Sequence, residues 1–524
     1  MWSHNYTPLA GNLELSALVA ALPIFTLLYL LGVKRLPAWK SALAGLAAAV
    51  VVAVALYGMP AGRVVSAIGF GAAFGLFPIG WIVFTAILLY RITVETGKFE
   101  IIKDSIGSLT DDRRLQALLV AFAFGAFLEG AAGFGAPVAV AAAMLTGLGF
   151  SPFYAAGICL LANTAPVAFG SIGTPIITLA AVTGLPIDQL SAAVGRICAP
   201  ISIFVPAYLI AVMGGWKASR GVLPATIICG VVFAATQLLV SNLLGPQLTD
   251  ILSSLAAMGA LVLLFTVWKP KDKFVLEGEH SVQTAAKRHP AREIWLAWGP
   301  YIILVVMVLL WGLYKVPLNK VSLTIPWPGL HEQVLQVPPV VAAPTPYRAL
   351  YRFDWLAAPG TACLLASFLA ALLLGMSPLR FLKLVGATAK QLFYSELTIA
   401  AVLALAFLMN YSGATATLGL AFAATGVLFP FFSSLLGWLG VFLTGSDTSA
   451  NALFGNLQVV TAGRLGLNPV LMAAANSSGG VMGKMISLQS IAVAAAATGM
   501  APAEEAKLFR FTLRHSIVLA AAIG

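Results

Sequence analysis

Residues 127–137 read FLEGAAGFGAP, and residues 442–451 read FLTGSDTSAN. Each stretch lies in an apolar run, is rich in small residues and holds one acid, Glu129 in the first and Asp447 in the second. Glycine permits sharp turns and proline removes a backbone donor, so both stretches are expected to interrupt a helix. The shared FL and G recur at one constant offset. The pair therefore predicts a duplicated unit that carries a broken helix.

Other landmarks recur at nearly the same offset, which supports a duplication along much of the chain. Arg63 and Gly69 match Arg380 and Gly386 at an identical offset. Four further pairs recur at closely similar offsets: ETG (95–97) with YSG (411–413), FSP (150–152) with LNP (467–469), NTAPVAFG (163–170) with NSSGGVMG (476–483), and AAVTG (180–184) with AAATG (495–499). Matches that follow the same order along both halves are difficult to attribute to chance.

The charges of the loops indicate how each half of the repeat is oriented in the membrane, because Lys and Arg accumulate on the cytoplasmic side. When successive apolar runs are taken to cross the membrane in alternate directions, Arg63 lies on the outer side and its match Arg380 on the cytoplasmic side. The charged connector 98–114 is placed inside, and its uncharged match 414–431 outside. The two halves therefore have opposite topology. Such inverted repeats are typical of secondary transporters, whose substrate site lies at the repeat interface near the bilayer midplane.

The composition indicates a membrane protein. Apolar residues make up 60% of the chain and charged residues 9%, and the mean hydropathy is +0.95. Soluble domains carry about 25% charged residues. We predict an all-α polytopic membrane protein with roughly 12–14 transmembrane helices, since apolar stretches of about 20 residues recur along the chain. Two inverted-topology repeats would contain the broken helices or re-entrant hairpins.

The domain organisation follows from the repeat and from the loops. Residues 1–62 form N-terminal transmembrane helices, 63–215 inverted repeat 1, 216–379 connecting helices and 380–524 inverted repeat 2. Within the connecting part, the basic stretch 269–295 is predicted to be a cytoplasmic loop. The Pro- and Trp-rich stretch 315–354 is β-prone and is predicted to form an ordered cap outside. The run 516–524 is half a span, so the chain is expected to stop within a helix.

Matched interruptions in the two halves point to the transport site, because unwound backbone at membrane depth is tolerated only where it lines a cavity or is buried in protein. They are 129–137 with 444–451, and 163–175 with 476–484. The candidate substrate-binding residues are Asn163, Thr164, Ser171, Thr174, Ser446, Thr448, Ser449, Asn476, Ser477, Ser478 and Lys484. For the glycines, the alternative is that they only let helices pack closely.

Three ionisable residues lie in these segments: Glu129, Asp447 and Lys484. An acid at the middle of a transmembrane helix costs about 2.5–3.5 kcal/mol to insert, so such residues are functional candidates. Burial favours the protonated form of a carboxylic acid, which makes Glu129 and Asp447 the candidate proton-coupling groups. The alternative is a purely structural buried ion pair. Outside these segments, Arg91 and Glu95 are one helical turn apart and are expected to pair with each other.

Several classes of protein are excluded by what the sequence lacks. The stretch GGVMGKM (479–485) has the wrong glycine spacing for a P-loop and lacks its Ser or Thr, so an ATP-driven pump is rejected. No H-E-x-x-H or G-x-S-x-G occurs, so neither a metalloprotease nor a serine hydrolase is indicated. The net charge of +11 resides in loops between apolar runs and does not suggest nucleic acid as a partner. An ion channel remains the alternative to a transporter.

The long segments 127–176 and 442–491, together with the opening MWSHNYTPL, resemble the bacterial L-lactate permease family, which includes glycolate permease. The resemblance covers nearly the whole chain. It implies proton-coupled uptake of L-lactate, D-lactate and glycolate across the bacterial inner membrane, with no enzyme activity, no metal and no cofactor beyond the coupling proton. It also implies a relation to transporters built from inverted repeats and re-entrant hairpins. A family member would complete one more helix after residue 524.

The expected mechanism combines these residues. Glu129, Asp447 or both accept a proton from the periplasmic side, and a 2-hydroxycarboxylate then binds between the broken-helix tips beside Lys484. Hydroxyl and amide side chains of the tips and nearby backbone N–H groups hold the substrate. Sodium coupling remains open, since Asn, Ser and carbonyl oxygens at these tips would also suit Na⁺.

Overall fold

The protein is built almost entirely of helices, here in a computed structural model that describes residues 1–133, 135–272, 274 and 289–524. The helices up to the repeat junction are α1 (Leu13–Gly32), α2 (Ala38–Leu56), α3 (Ala61–Glu95), α4 (Lys98–Gly107), α5 (Arg113–Ala131), α6 (Ala136–Gly147), α7 (Pro152–Ala162), α8 (Val167–Thr183), α9 (Ile187–Gly221), α10 (Leu223–Leu243), α11 (Thr249–Val267), α12 (Ala291–Leu313), α13 (Lys315–Asn319) and α14 (Pro359–Leu373). They are followed by α15 (Pro378–Ser412), α16 (Ala414–Phe422), α17 (Phe429–Thr444), α18 (Asp447–Leu465), α19 (Pro469–Gly483), α20 (Leu488–Thr498) and α21 (Pro502–Ile523).

The predicted fold class is confirmed. In the described part of the chain, ten helical stretches are long and apolar enough to cross a bilayer, and two bent helix pairs raise the number to twelve. Twelve is the lower end of the predicted range. The difference arises because some apolar stretches, such as α6, are too short to span and instead turn back inside the protein.

The order and the starts of the helices repeat along the chain. Helices α3 and α15 both comprise 35 residues, and they begin at the matched positions 61 and 378. Helix α7 begins at Pro152 after the N-cap Ser151, and α19 begins at Pro469 after the N-cap Asn468. Proline suits a first helical turn because its missing N–H would have no partner there. Matched helices thus begin with the same chemistry.

Helices α3 and α15 pack against each other in opposite directions. A Cβ atom added at Gly71 would stand 2.6 Å from Cα of Ala404, and one added at Gly75 would stand 2.7 Å from Cα of Ala400. Farther along, the backbone of Gly80 lies against the Glu396 carboxylate. Residues later in α3 therefore contact residues earlier in α15, as in two antiparallel helices.

This contact has the symmetry of an inverted repeat. Helix α15 matches α3 at the same offset that relates Arg63 to Arg380, so Glu396 is equivalent to position 79, and its carboxylate lies against the next residue, Gly80. Two equivalent helices that meet at their midpoints and run in opposite directions are related by a local two-fold axis across their length. The inversion deduced from the loop charges is therefore present in the packing of the helices.

The same contact corrects the expected pairing of Arg91 with Glu95, which is wrong. Glu95 forms an ion pair with Arg380 across the helix interface, with Nη2 and Oε1 3.0 Å apart. Arg91 instead donates a hydrogen bond of 3.1 Å to Oγ1 of Thr388. The antiparallel neighbour brings its own cation and hydroxyl to these side chains, so the contact within one helix is replaced by contacts between helices.

Two re-entrant hairpins enter the protein from their bases and turn at its centre. In hairpin 1 (α5 and α6), Arg113 at the start donates a hydrogen bond to the Leu148 carbonyl at the end, so both ends meet. In hairpin 2 (α17 and α18), a Cβ atom added at Gly440 would stand 2.8 Å from Cβ of Ala450. The helical stretches stop at residues 131 and 444 and resume at 136 and 447. Both turns fall inside the predicted interruptions.

Two bent helix pairs complete the centre, at 64° between α7 and α8 and at 40° between residues 469–486 and α20. The first bend lies within the predicted segment 163–175. The second lies later than predicted, because α19 is helical through Gly483 and the break follows at Lys484–Ser487. Gly479 and Gly483 are used for packing, since their backbones lie against those of Ser434 and Trp438 on α17. For these glycines the close-packing alternative was the correct one.

A small cap of short strands covers one end of the bundle: β1 (Trp2–Ser3), β2 (Leu323–Pro326), β3 (Val334–Gln336), β4 (Thr345–Pro346) and β5 (Leu350–Phe353). Strand β1 pairs in parallel with β3, which pairs antiparallel with β4, and β2 pairs antiparallel with β5. The β-prone stretch 315–354 contains four of these strands. Strand β1 is contributed by the N-terminus of the chain, which the sequence did not predict.

The base of hairpin 1 is held by Arg114, whose side chain is fully buried. It forms ion pairs of 2.7 Å with Asp112 and with Asp272. Its hydrogen bonds hold the pKa of Asp272 below the ordinary value. Asp272 belongs to the predicted basic loop 269–295, most of which (273 and 275–288) lies outside the described residues. The ion pairs therefore tie the start of this loop to the hairpin.

Candidate functional site

A cavity of about 130 Å³ lies where the tips of the two hairpins meet the bends of α7–α8 and α19–α20. Of the predicted site residues it is lined by Glu129, Ser171, Thr174, Ser446, Asp447, Thr448, Ser449 and Lys484. A water molecule occupies about 30 Å³ of liquid, so the cavity has room for a solute of a few heavy atoms. The structure thus brings residues from both repeats to one small cavity.

Glu129 stands in the last turn of α5 and is 5% exposed. Its Oε2 accepts a hydrogen bond of 2.9 Å from Nδ2 of Asn163 at the bend of α7–α8. A Cβ atom added at Gly170 would stand 2.6 Å from Oε1 of Glu129, so the carboxyl group occupies the space that this glycine leaves free. The two interruptions of repeat 1 therefore build the environment of one acid.

Asp447 is placed at the opposite tip, in the first turn of α18, and is 3% exposed. Ser446 caps the helix by accepting the N–H of Ser449 at 3.2 Å. Oδ2 of Asp447 accepts hydrogen bonds from Oγ of Ser477 at 2.7 Å and from Nδ2 of Asn451 at 3.3 Å. Among the described residues, Oδ1 has no partner. Negative charge at this position is favoured by the helix dipole.

Lys484 supplies the cation of the cavity. It begins the short helical turn between α19 and α20 and is 9% exposed. Its ammonium group donates a hydrogen bond of 2.6 Å to the Gly445 carbonyl, which lies at the C-terminal end of α17. A cation is favoured there by the partial negative charge of a helix C-terminus. Lys484 therefore holds the tip of hairpin 2 while facing the cavity.

The backbone of repeat 1 is unwound beside the cavity. Ser171, Ile172 and Gly173 have φ of 45°, 57° and 77°, in the left-handed region. For a residue other than glycine this conformation costs about 1–2 kcal/mol. Oγ of Ser171 donates a hydrogen bond of 2.8 Å to the Ala132 carbonyl, which belongs to the broken end of α5. Strained backbone of this kind concentrates at functional sites, where the surroundings hold it in place.

Five of the predicted residues lie behind the lining. Ser477 orients Asp447, while Asn476 donates to Oδ1 of Asn451 at 3.0 Å and accepts from Gln458 at 3.0 Å. The hydroxyl of Thr164 is turned to its own helix, donating to the Leu161 carbonyl at 2.8 Å. The full set away from the lining is Asn163, Thr164, Asn476, Ser477 and Ser478, all buried. Asn163 and Ser477 thus bond the two acids directly, and Asn476 reaches Asp447 through Asn451.

Sequence reasoning missed several lining residues and one buried acid. Ser395 and Thr398 reach the cavity from the middle of α15, and Gln489 and Ser490 reach it from α20. Asp250, in the first turn of α11, is fully buried. In the sequence these residues look like an ordinary helix interior or helix start. No pattern shows that the loop before Asp250 is covered by protein.

The model of the L-lactate permease family matches residues 16–524. This chain belongs to the L-lactate permease family. Among its relatives in that family, the L-lactate permease of Bacillus subtilis is 48% identical over 99% of this chain and 96% of its own length. The glycolate permease GlcA of Escherichia coli is 46% identical over 100% of this chain and 97% of its own length. The L-lactate permease of Escherichia coli is 44% identical over the same shares of the two chains.

Membership in this bacterial permease family, together with the apolar helices, makes the protein a multi-pass protein of the inner membrane. Its relatives are permeases, which are transporters rather than enzymes. Among solved structures, the YdaH transporter of Alcanivorax borkumensis has a TM-score of 0.45 and 14% identity, covering 88% of this chain and 86% of its own.

Proposed function

We propose that this protein is a secondary active transporter that moves L-lactate and related 2-hydroxymonocarboxylates, D-lactate and glycolate, into the cell together with protons. The names of the relatives support the substrate class. Proton coupling is supported by the charged residues that line the cavity. Two acids, Glu129 and Asp447, face it, and Lys484 is the cation among its described lining residues. No chemical conversion and no cofactor are part of this proposal.

The charges explain why protons should accompany the substrate. A monocarboxylate beside Lys484 forms a neutral pair, and each ionised acid then adds a negative charge that repels it. Two unit charges 4 Å apart interact by about 4 kcal/mol at an effective dielectric constant of ~20. Protonation of Glu129 and Asp447 removes this repulsion. Loading the site with substrate is therefore linked to loading it with protons.

The remaining lining residues suit a hydroxy acid. The first turn of α18, with Ser446, Thr448 and Ser449, offers N–H groups and hydroxyls to a carboxylate. Ser171 and Thr174 of the unwound segment face the cavity from the other repeat and can bond the 2-hydroxyl. Because the two sets belong to different repeats, movement of one repeat element against the rest would open the site to one side of the membrane and then the other.

Uptake of labelled L-lactate into proteoliposomes, with an imposed pH gradient and no sodium, tests this function. Accumulation that collapses with a protonophore is expected. Accumulation only after sodium is added would move the coupling role to the oxygen groups of the tips. Absence of lactate transport under both conditions would contradict the proposed substrate.

A further inference from the structure

Asp250 is a buried acid that the proposed function leaves unused. It stands in the first turn of α11 and is 0% exposed. Neither of its carboxyl oxygens has a hydrogen-bond partner among the described residues. Most buried polar side chains have at least one partner, so an acid with none calls for an explanation.

Asp250 adjoins both interruptions of repeat 1. A Cβ atom added at Gly130, the residue after Glu129, would stand 2.8 Å from Cβ of Asp250. In the loop that precedes Asp250, Pro246 lies against Gly173, where an added Cβ atom would stand 2.9 Å away. The loop 244–248 thus packs behind the unwound backbone, and Asp250 lies beside the turn of α5 that carries Glu129.

The titratable groups that interact with Asp250 are Glu129 on α5 and, through its thiol, Cys198 on α9. Helices α8 and α10, which also pack against α11, contain no charged residue. Within the part of the chain that the structure describes, Asp250 therefore has no cation of its own. Glu129 has the Asn163 amide and the electrostatic attraction of Lys484.

The two acids cannot both carry a charge at little cost. A buried carboxylate without a donor or cation is strongly unfavourable, and a neighbouring carboxylate makes it worse. Among the described residues, Glu129 has a partner for a negative charge and Asp250 has none. The arrangement therefore favours a state in which Glu129 and Asp250 together carry one proton and one negative charge.

We propose that Asp250 is a further proton-carrying group of the transport site, beside Glu129, and this rests on the proposed proton coupling. When Glu129 is ionised, Asp250 holds a proton. Transfer breaks the O–H bond at Asp250 and forms one at Glu129, directly or through one water, and leaves the charge of the pair unchanged. A proton from water then refills Asp250. An acid in a first helical turn also suits the helix dipole, so a purely structural role is the alternative to exclude.

The test uses Asp250→Asn in the full-length protein in proteoliposomes, with Asp188→Asn as the matched control on an exposed acid near the same loop. Two quantities are measured for each: lactate accumulation driven by a pH gradient, and exchange of internal for external lactate as a function of pH. For Asp250→Asn we expect accumulation to fall by at least about fivefold, the lower end of typical coupling between sites. Exchange should persist with a weaker dependence on pH, since Glu129 and Asp447 still titrate. The control should follow the unmodified protein.

The outcomes separate the hypotheses. Unchanged accumulation and an unchanged pH profile in Asp250→Asn would overturn this inference and leave the proposed function standing. Loss of exchange together with accumulation would show a structural role and would also overturn it. If the unmodified protein does not accumulate lactate on a pH gradient, the proposed function fails and the inference fails with it. If Asp250→Asn does not reach the membrane, Asp250→Glu decides: proton-driven accumulation with a shifted pH midpoint supports the role, and an unshifted midpoint contradicts it.

Discussion

At the scale of single residues, the site is a balance between two acids and one cation. Glu129 and Asp447 each receive a short hydrogen bond from a side chain behind the cavity, 2.9 Å from Asn163 and 2.7 Å from Ser477. Such bonds stabilise the ionised acid, whereas burial opposes it. The hydrogen bonds and the burial of each acid therefore act on its ionised form in opposite directions.

Replacing Glu129 by Gln keeps the shape of the side chain and removes its proton exchange. We expect accumulation of lactate on a pH gradient to fall by about tenfold or more, because a coupling free energy of about 1.4 kcal/mol corresponds to a factor of ten. Labelled uptake in proteoliposomes measures this. Glu100→Gln, an exposed acid on α4, is the control and should change nothing. A variant that accumulates lactate with an unchanged pH dependence would refute the role of Glu129. Asp447→Asn tests the second acid by the same assay.

Replacing Lys484 by Met removes the cation and keeps most of the apolar stem. The half-saturating lactate concentration should rise by about tenfold, since the substrate loses one charge-assisted contact worth roughly 1.5–3 kcal/mol. Initial rates of uptake over a range of lactate concentrations give this value. Lys390→Met, on the exposed face of α15, serves as the control. An unchanged half-saturating concentration would show that Lys484 only holds the Gly445 carbonyl.

At the scale of elements, the hairpins depend on how their bases and tips are fixed. Arg114 joins the base of hairpin 1 to Asp272 in the following loop, and Ser171 joins its tip to the bend of α7–α8. A hairpin held at both ends can present Glu129 at a fixed place. The ion pair at the base is the accessible point at which to test this.

Arg114→Met should lower the free energy of unfolding by about 2 kcal/mol, less than the roughly 3–5 kcal/mol for a fully buried pair because Asp272 is half exposed. Thermal unfolding in detergent, followed by tryptophan fluorescence, measures the loss. Arg292→Met, on an exposed cation at the start of α12, should have little effect. Equal melting temperatures for both variants would mean that the base of the hairpin is held by packing alone.

The sequence predicts some of the helix interruptions correctly and misplaces others. The interruptions at 129–137, 444–451 and 163–175 were predictable because glycine, proline and small polar residues break apolar helices in matched places. The break after Gly483 was misplaced because glycines that pack against a neighbouring helix look the same as glycines that unwind one. Ser395 and Gln489 reach the cavity, and Asp250 reaches Gly130 beside Glu129, through contacts distant in sequence, which no local pattern encodes.

At the scale of the whole molecule, the N-terminus closes the cap. Strand β1 pairs with β3, and the His4 imidazole joins this junction to α15, with Nε2 2.9 Å from the Tyr411 carbonyl. Burial lowers the pKa of His4 to about 4. The imidazole is therefore neutral at physiological pH and bonds α15 through its N–H.

This geometry predicts a pH dependence of stability. An unfolded histidine has a pKa of about 6.5, so the unfolded chain binds the proton more readily than the folded one between that value and about 4. Stability should be complete above about pH 6.5 and decline as the pH falls toward 4. Melting temperatures of the purified protein across this range should show the decline, and His4→Gln should flatten it. His331→Gln, in the same cap, should leave the slope as it is. An identical slope in His4→Gln would contradict this assignment.

The contact of α3 with α15 has a consequence for how the two halves have diverged. On the two-fold axis a position faces its own equivalent, so in a symmetric ancestor made of two identical halves every substitution there would have met a copy of itself. A carboxyl group would have met a carboxyl group. In the present chain the two equivalent positions hold Ile79 and Glu396, a combination that is possible only when the two halves differ in sequence. We therefore expect the residues along this axis to differ between the halves more than those of any other matched helix pair.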